Sequence, residues 1–176
     1  MLSASSSGPV QYSDREEKMN TVELLQFSLE IAFDILSSVT ADLTQEQADW
    51  RPPGTANTIG SIYSHILTYV DYYVRTYFIE GKPQPVTVES RPPELWLQDV
   101  QVDLSELHVY AGQVRSTARN WLSSLTPDDL EPRALTTAGE MNLAQAVQAF
   151  IVWHISAHCG EVSALKGCQG LKGYPW

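Results

Sequence analysis

Three side chains near the C-terminus are spaced for coordination chemistry: His154, His158 and Glu161, in the stretch WHISAHCGEV. Steps of four and three residues place all three on one side of an α-helix. Imidazole is a good ligand for zinc, nickel, copper and ferrous iron. A third imidazole from a facing helix would complete a three-nitrogen site whose fourth position stays open for water or substrate. The pattern therefore predicts a metal site if a third histidine reaches the same point.

His65 is the histidine placed to be that third ligand. It lies in the stretch NTIGSIYSHI and falls on the apolar stripe of a predicted helix, whereas His108 falls beside the stripe of its own helix and is predicted to lie at the surface. The alternative is that His154 and His158 are core histidines satisfied by backbone or water, since such pairs recur by chance in helices. Three buried imidazoles without partners would be costly, so either interpretation requires something to satisfy them.

Four segments show the helical periodicity needed to position these side chains. They cover roughly 20–40, 58–79, 103–125 and 142–167, with Asn57 or Thr58 and Asp103 as candidate N-caps. The apolar stripe of the last segment runs through either Phe150 or Ile151. The only competing strand pattern is a weak one, PVTVE, at 85–89. Four amphipathic helices of this length predict an all-α fold, a four-helix bundle.

The connection between the second and third helices constrains the topology. About 20 residues, including Pro83, Pro85, Pro92 and Pro93, are enough to run the length of a helix of about 30 Å. We therefore expect the third helix to run parallel to the second, in up-down-down-up order. That order places His65, about 10 Å from the start of its helix, level with His158, about 13 Å from the end of its own.

Composition limits the partners. The chain has 176 residues, of which 43% are hydrophobic and 18% charged, and a net charge of −10. An acidic surface repels phosphate backbones and anionic lipid, so we expect neither a nucleic acid nor a membrane as partner. No apolar stretch reaches the length that spans a bilayer. A small molecule is the expected partner.

Residues 1–18 are polar and small, and we expect a disordered N-terminal tail followed by one domain at 19–176. This tail has no apolar segment of the kind found in signal peptides. Cys159 and Cys168 lie nine residues apart, on opposite faces of one predicted helix, so they cannot form a disulfide bond with each other. This cysteine usage favours a cytoplasmic location.

Two motifs resemble those of the DinB-like family, the YfiT-type metal-binding bundles. NTIGSIYSHI is similar to that family's N-S-I-G-x-x-x-x-H helix start, and HISAHCGEV is similar to its closing H-x-x-x-H-x-G-Q/E-I/V helix. The resemblance extends from about residue 20 to the C-terminus. It implies a metal-dependent up-down-down-up four-helix bundle, often dimeric, whose metal ligands fall on His65, His154 and His158.

The resemblance also implies a choice of functions. Relatives include thiol-dependent S-transferases, so a divalent ion, zinc or nickel, and a low-molecular-weight thiol are the expected cofactors. Hydrolysis by metal hydroxide is the second reaction, with Glu161 as a candidate catalytic base. Glu161 could instead orient an imidazole N–H, or be a solvated carboxylate without a role. The alternative to an enzyme is a non-catalytic bundle that binds a small molecule or dimerises; a homodimer is expected in either case.

Overall fold

The computed structural model describes residues 18–174. In chain order its elements are α1 (Thr21–Thr40), α2 (Gln45–Asp49), α3 (Ile59–Tyr72), α4 (Leu104–Ser123), the strands β1 (Arg133–Thr136) and β2 (Gly139–Asn142), α5 (Leu143–Val147) and α6 (Trp153–Cys168). Two π-helical segments lengthen these helices: Tyr73–Ile79 continues α3, and Gln148–Val152 joins α5 to α6. The expected disordered tail, residues 1–18, lies outside the described residues except for Lys18.

Side chains at the helix starts explain where the helices begin. Asn20 and Glu23 form a capping box at α1, in which each side chain accepts from the other residue's backbone N–H at 3.0 and 2.8 Å. Thr58 caps α3 and Asp103 caps α4. Of the two candidate caps for the second predicted helix, Thr58 is therefore the cap and Asn57 is not.

Four helical units form the bundle: α1, α3 with its π extension, α4, and α6 preceded by α5. Helix α1 packs against α4 and α6, and α3 packs against the same two helices, so α1 and α3 lie diagonally opposite. Glu30 of α1 accepts hydrogen bonds from Arg115 and Arg119 of α4, and Gln26 donates to Ser123 at 3.3 Å. Increasing residue numbers on α1 thus meet decreasing numbers on α4, and these two helices are antiparallel.

The other helix pairs run in the same direction. Three side-chain pairs join α3 and its π extension to α4 in increasing order on both: Tyr63 with His108, Asp71 with Tyr110, and Arg75 with Thr117. Lys166, near the end of α6, donates to the carbonyl of Val39 near the end of α1 at 3.1 Å. Helices α3 and α4 are therefore parallel, as are α1 and α6.

The core is formed by the apolar stripes predicted from the sequence, with local shifts. Phe150 and Ile151, which the sequence left as alternatives, are both buried because the π-helical turn presents consecutive residues to the core. Leu143 is only partly buried, since it is the first residue of α5. On α4, Leu122 is fully buried, whereas its neighbour Trp121 is only partly buried.

The small β-structure differs from the prediction. Residues 85–89, the weak strand candidate, form no strand. Instead β1 and β2 pair as an antiparallel hairpin, with Arg133 opposite Asn142 and Thr136 opposite Gly139. Gly139 has a φ of +102°, which glycine adopts without strain at this turn. The hairpin leads directly into α5. Within residues 18–174, no helix combines the length and the apolar character needed to cross a membrane.

Candidate metal centre

Three histidines from two helices meet inside the bundle. His65 comes from α3, and His154 and His158 from α6. One ring nitrogen of each lies within 4.8 Å of a ring nitrogen of the other two. The ring centroid of His65 is 5.0 Å from both others, and the centroids of His154 and His158 are 4.5 Å apart. The structure thus brings together all three residues predicted as metal ligands.

Helix geometry explains the convergence. His154 and His158 are one turn apart and share a face of α6, while His65 lies about two turns into α3. Since α3 is parallel to α4, α4 is antiparallel to α1 and α1 is parallel to α6, helices α3 and α6 are antiparallel and their histidines can stand level. Ile66 and Ile155, each beside a cluster histidine in sequence, are fully buried in the same hydrophobic core.

Burial keeps two of the imidazoles neutral. Desolvation is the largest cause that lowers the pKa of His65 to about 4, and the neighbouring His158 and Arg91 lower it further. Desolvation likewise lowers the pKa of His154 to about 2, with smaller contributions from His158 and His65. Neutral imidazole is the form that binds a metal ion. Near pH 7 these two side chains are therefore already in their ligand form.

Glu161 is bound to the histidine one turn before it. Its Oε2 lies 2.6 Å from Nδ1 of His158, and the carboxylate is otherwise largely exposed. A carboxylate at Nδ1 fixes the proton on that nitrogen, so that Nε2 is left as the electron-pair donor. Glu161 therefore orients the ring of His158.

The donor set fits a divalent transition metal. Nδ1 of His65 and Nε2 of His154 are buried and have no hydrogen-bond partner among the described residues. Unpartnered buried nitrogens are costly, and a coordinated cation would satisfy such atoms. Three imidazoles with one carboxylate behind them match the ligand chemistry of zinc or nickel.

Comparison with known proteins shows which family this chain belongs to. The DinB superfamily model matches residues 28–162, which include all three histidines and Glu161. The chain belongs to the DinB superfamily. Among solved structures it is similar to YfiT from Bacillus subtilis, with a TM-score of 0.66 and 18% sequence identity, over 94% of this chain and 95% of that one. YfiT is described as a probable metal-dependent hydrolase with an unusual four-helix bundle topology. No match was found among curated proteins.

At 18% identity the likeness to YfiT shows the fold of this DinB-superfamily chain: an all-α four-helix bundle.

An aromatic stack within that fold packs against one side of the histidine cluster. Tyr69 stacks on His154 at 3.7 Å between centroids, Tyr73 stacks on Tyr69 at 4.7 Å, and Phe150 stacks on Tyr73 at 5.1 Å. Tyr73 and Phe150 both lie in π-helical segments. The rings thus form a continuous stack that ends at His154.

A cavity of about 270 Å³ opens beside His65. It is lined by Ser61, Ser64, His65 and Thr68 from α3 and by Trp96, Gln98 and Val100 from the connector. Three hydroxyl groups and one of the cluster histidines therefore face this cavity. Sequence reasoning missed Trp96 and Gln98; the apolar triplet LWL at 95–97 within a polar connector was the signal available.

Other residues outside the ligand set have definite positions. His108 is exposed, as expected, with its Nδ1 lying 3.3 Å from the hydroxyl of Tyr63. Cys159 is buried, and burial raises the pKa of its thiol to about 12, which leaves it unreactive. A Cβ on Gly160 would stand 3.8 Å from the hydroxyl of Tyr174, so the C-terminal segment passes alongside α6. The chain up to Tyr174 is therefore folded back on the helix that carries His154 and His158.

Proposed function

We propose that this DinB-superfamily protein binds one divalent metal ion through His65, His154 and His158 and catalyses a metal-dependent reaction of a small molecule. The observation that carries the proposal is the convergence of three imidazoles with two buried, unpartnered nitrogens. The printed description of YfiT as a probable metal-dependent hydrolase supports it. The cavity beside His65 supplies room for a substrate.

Two reactions suit a three-histidine ion with an open position. Such an ion supplies Lewis acidity, which would lower the pKa of a bound water to about 7 and would also lower the pKa of a bound thiol. The chain's own residues would hold the ion, keep His158 in the tautomer that donates from Nε2, and exclude bulk water from the buried side of the cluster. Hydrolysis and transfer of a low-molecular-weight thiol to an electrophile both fit this arrangement. Zinc and nickel are the proposed ions.

The test of this function has two steps. Purified protein supplemented with zinc or nickel should retain about one ion per chain, as expected for a three-nitrogen site. The loaded and metal-free forms are then compared in thiol-conjugation assays and in ester and amide hydrolysis. A protein that retains no metal would refute the proposal. Retention of the ion without turnover in any assay would favour a metal-stabilised, non-catalytic bundle.

Replacing Glu161 by glutamine should weaken metal binding by roughly 10–100-fold, because the carboxylate that orients His158 is lost while the three nitrogens remain. The affinity is measured by competition with a chromogenic chelator. Glu131→Gln, which removes an exposed carboxylate outside the cluster, is the matched control. Equal affinity in the parent and in Glu161→Gln would show that the carboxylate has no part in the site.

We also propose that the chain forms a homodimer through an apolar face shared by α1 and α6. Leu24, Phe27 and Ile31 recur at steps of three and four along α1 and are exposed, and Trp153 at the start of α6 is 64% exposed. A groove between the two helices adjoins them and includes Leu24 and Trp153. Exposed apolar faces of this kind mark association sites. The frequent dimerisation of similar bundles makes a second copy of the chain the proposed partner.

Substitution of Trp153 by glutamate should convert the dimer to a monomer, because a charge would be buried without a partner in the interface. Light scattering after size exclusion measures the mass. Val109→Glu places the same charge on an equally exposed residue of α4 and should leave the dimer intact. A monomeric parent protein, or a Trp153→Glu variant that remains dimeric, would contradict this interface.

A further inference from the structure

One face of α3 forms a wall of the cavity beside His65. The lining residues of this helix occupy positions i, i+3, i+4 and i+7: Ser61, Ser64, His65 and Thr68. Residues at these spacings share one side of a helix. The cavity therefore lies on the side of α3 from which His65, a proposed metal ligand, projects.

The connector forms the opposite wall with every second residue. Trp96, Gln98 and Val100 line the cavity, whereas Leu95 is buried and Leu97 is partly buried against the hydrophobic core. Successive side chains of an extended chain point to opposite sides, and Trp96 has the extended backbone angles φ −88° and ψ 141°. The two leucines thus anchor the connector while the residues between and after them face the cavity.

Hydrogen bonds hold the stretch that carries Trp96. The backbone N–H of Val100 donates to the hydroxyl of Ser61 at 3.2 Å, and the side chain of Gln98 donates to the carbonyl of Pro93 at 3.0 Å. Trp96 nevertheless remains 52% exposed. A large aromatic ring that is fixed at a cavity and left partly in water is a preorganised surface on which a ligand ring can stack.

One hydroxyl in the cavity is available to a ligand. The hydroxyl of Ser61 is bonded to Val100, and that of Thr68 donates to the carbonyls of Ser64 and His65 at 2.9 and 3.2 Å. Among the described side chains and backbone groups, the hydroxyl of Ser64 has no hydrogen-bond partner. This hydroxyl can both donate and accept a hydrogen bond, and it shares the helix face of His65.

The size of the cavity suits a single ring. An apolar cavity of about 150 Å³ is sufficient to bind benzene. The cavity beside His65 has a volume of about 270 Å³. It therefore has room for one aromatic ring and a short polar substituent.

We propose that this cavity binds an aromatic group of the small molecule, stacked on the indole of Trp96, with Ser64 hydrogen-bonded to a polar group attached to the ring. The proposal rests on the metal-dependent function proposed above, because the same polar group would then face the ion. Trp96 is a specificity-determining residue, and the substrate class is small aromatic esters, amides or electrophiles.

Binding of benzamide to the metal-free protein is the first test. Nuclear magnetic resonance follows the indole N–H signals of the five tryptophans, and the signal of Trp96 is assigned by its loss in Trp96→Ala. Benzamide should shift this signal and should bind at least about threefold more tightly than cyclohexanecarboxamide, which has the same amide but no aromatic ring. A Trp96 signal that benzamide does not shift would overturn the proposal.

Variants then separate the two contacts, with affinities measured from the backbone amide signals of α3. Trp96→Ala should weaken benzamide binding by about tenfold, and Ser64→Ala should weaken it by roughly threefold to tenfold. Val88→Ala is the control, because Val88 is an exposed apolar residue of the same connector that does not line the cavity. Equal affinity in the parent and in Trp96→Ala would refute the stacking role.

Hydroxamates test whether one molecule reaches both the cavity and the ion. Zinc-loaded protein should bind benzohydroxamate at least about tenfold more tightly than acetohydroxamate, and Trp96→Ala should remove most of this preference. Benzamide binding at Trp96 without any preference for benzohydroxamate would show that the cavity and the ion do not share a ligand. A parent protein that retains no zinc would instead refute the proposed function, and the substrate role of the cavity with it.

Discussion

Replacing His154 by glutamine should lower the affinity for zinc or nickel by at least about a hundredfold, more than the loss of a group that only orients a ligand. Glutamine retains much of the side-chain volume against Tyr69 but offers a weaker donor. The helical content should not change, because the stripe of buried residues around position 154 is intact. Chelator competition measures the affinity, and far-ultraviolet circular dichroism measures the helical content.

The control for this prediction is His108→Gln. His108 is an exposed histidine of the same chain, on α4 and outside the cluster. The His108→Gln variant should bind metal as the parent does, while His158→Gln should lose metal as His154→Gln does. If His154→Gln and His158→Gln both hold the ion as tightly as the parent protein, the ligand assignment is wrong.

Replacing Leu122 by alanine should have the opposite effect: a loss of roughly 2–5 kcal/mol in the free energy of unfolding, with the metal site retained. Leu122 is 0% exposed on α4 and lies in the hydrophobic core. Truncation removes buried methyl groups and leaves a cavity that the surrounding helices fill only in part. Urea unfolding of the metal-free protein measures the change.

Val109→Ala is the matched control, since Val109 is 64% exposed on the same helix and its truncation should cost less than about 0.5 kcal/mol. The metal content of folded Leu122→Ala should remain that of the parent. A stability loss no larger than that of Val109→Ala would contradict the packing described for α4. Together with His154→Gln, this variant separates the stability of the fold from the binding of metal.

Much of the fold was predictable because it depends on local chemistry. Periodicity located the four helices, and the short polar side chains of Thr58 and Asp103 marked two of their starts. The histidine cluster was predictable for the same reason. Once His65 and the pair on the last helix fall on inward stripes of antiparallel helices, their heights along the bundle decide that they meet.

Other features depend on contacts between distant segments and leave no periodic signal. The π-helical turn at Gln148–Val152 inserts an extra residue per turn, so the sequence stripe was ambiguous between Phe150 and Ile151. The hairpin of β1 and β2 has too few residues to show alternation.

X-ray diffraction at the zinc or nickel absorption edge, on crystals of metal-loaded protein, is the decisive test of whether the three histidines bind one ion. We predict one anomalous peak per chain at the centre of the three imidazoles, about 2.0–2.1 Å from a nitrogen of each of His65, His154 and His158 for zinc. Crystals grown with excess metal that show no peak there, or a peak bound by other side chains, would contradict it.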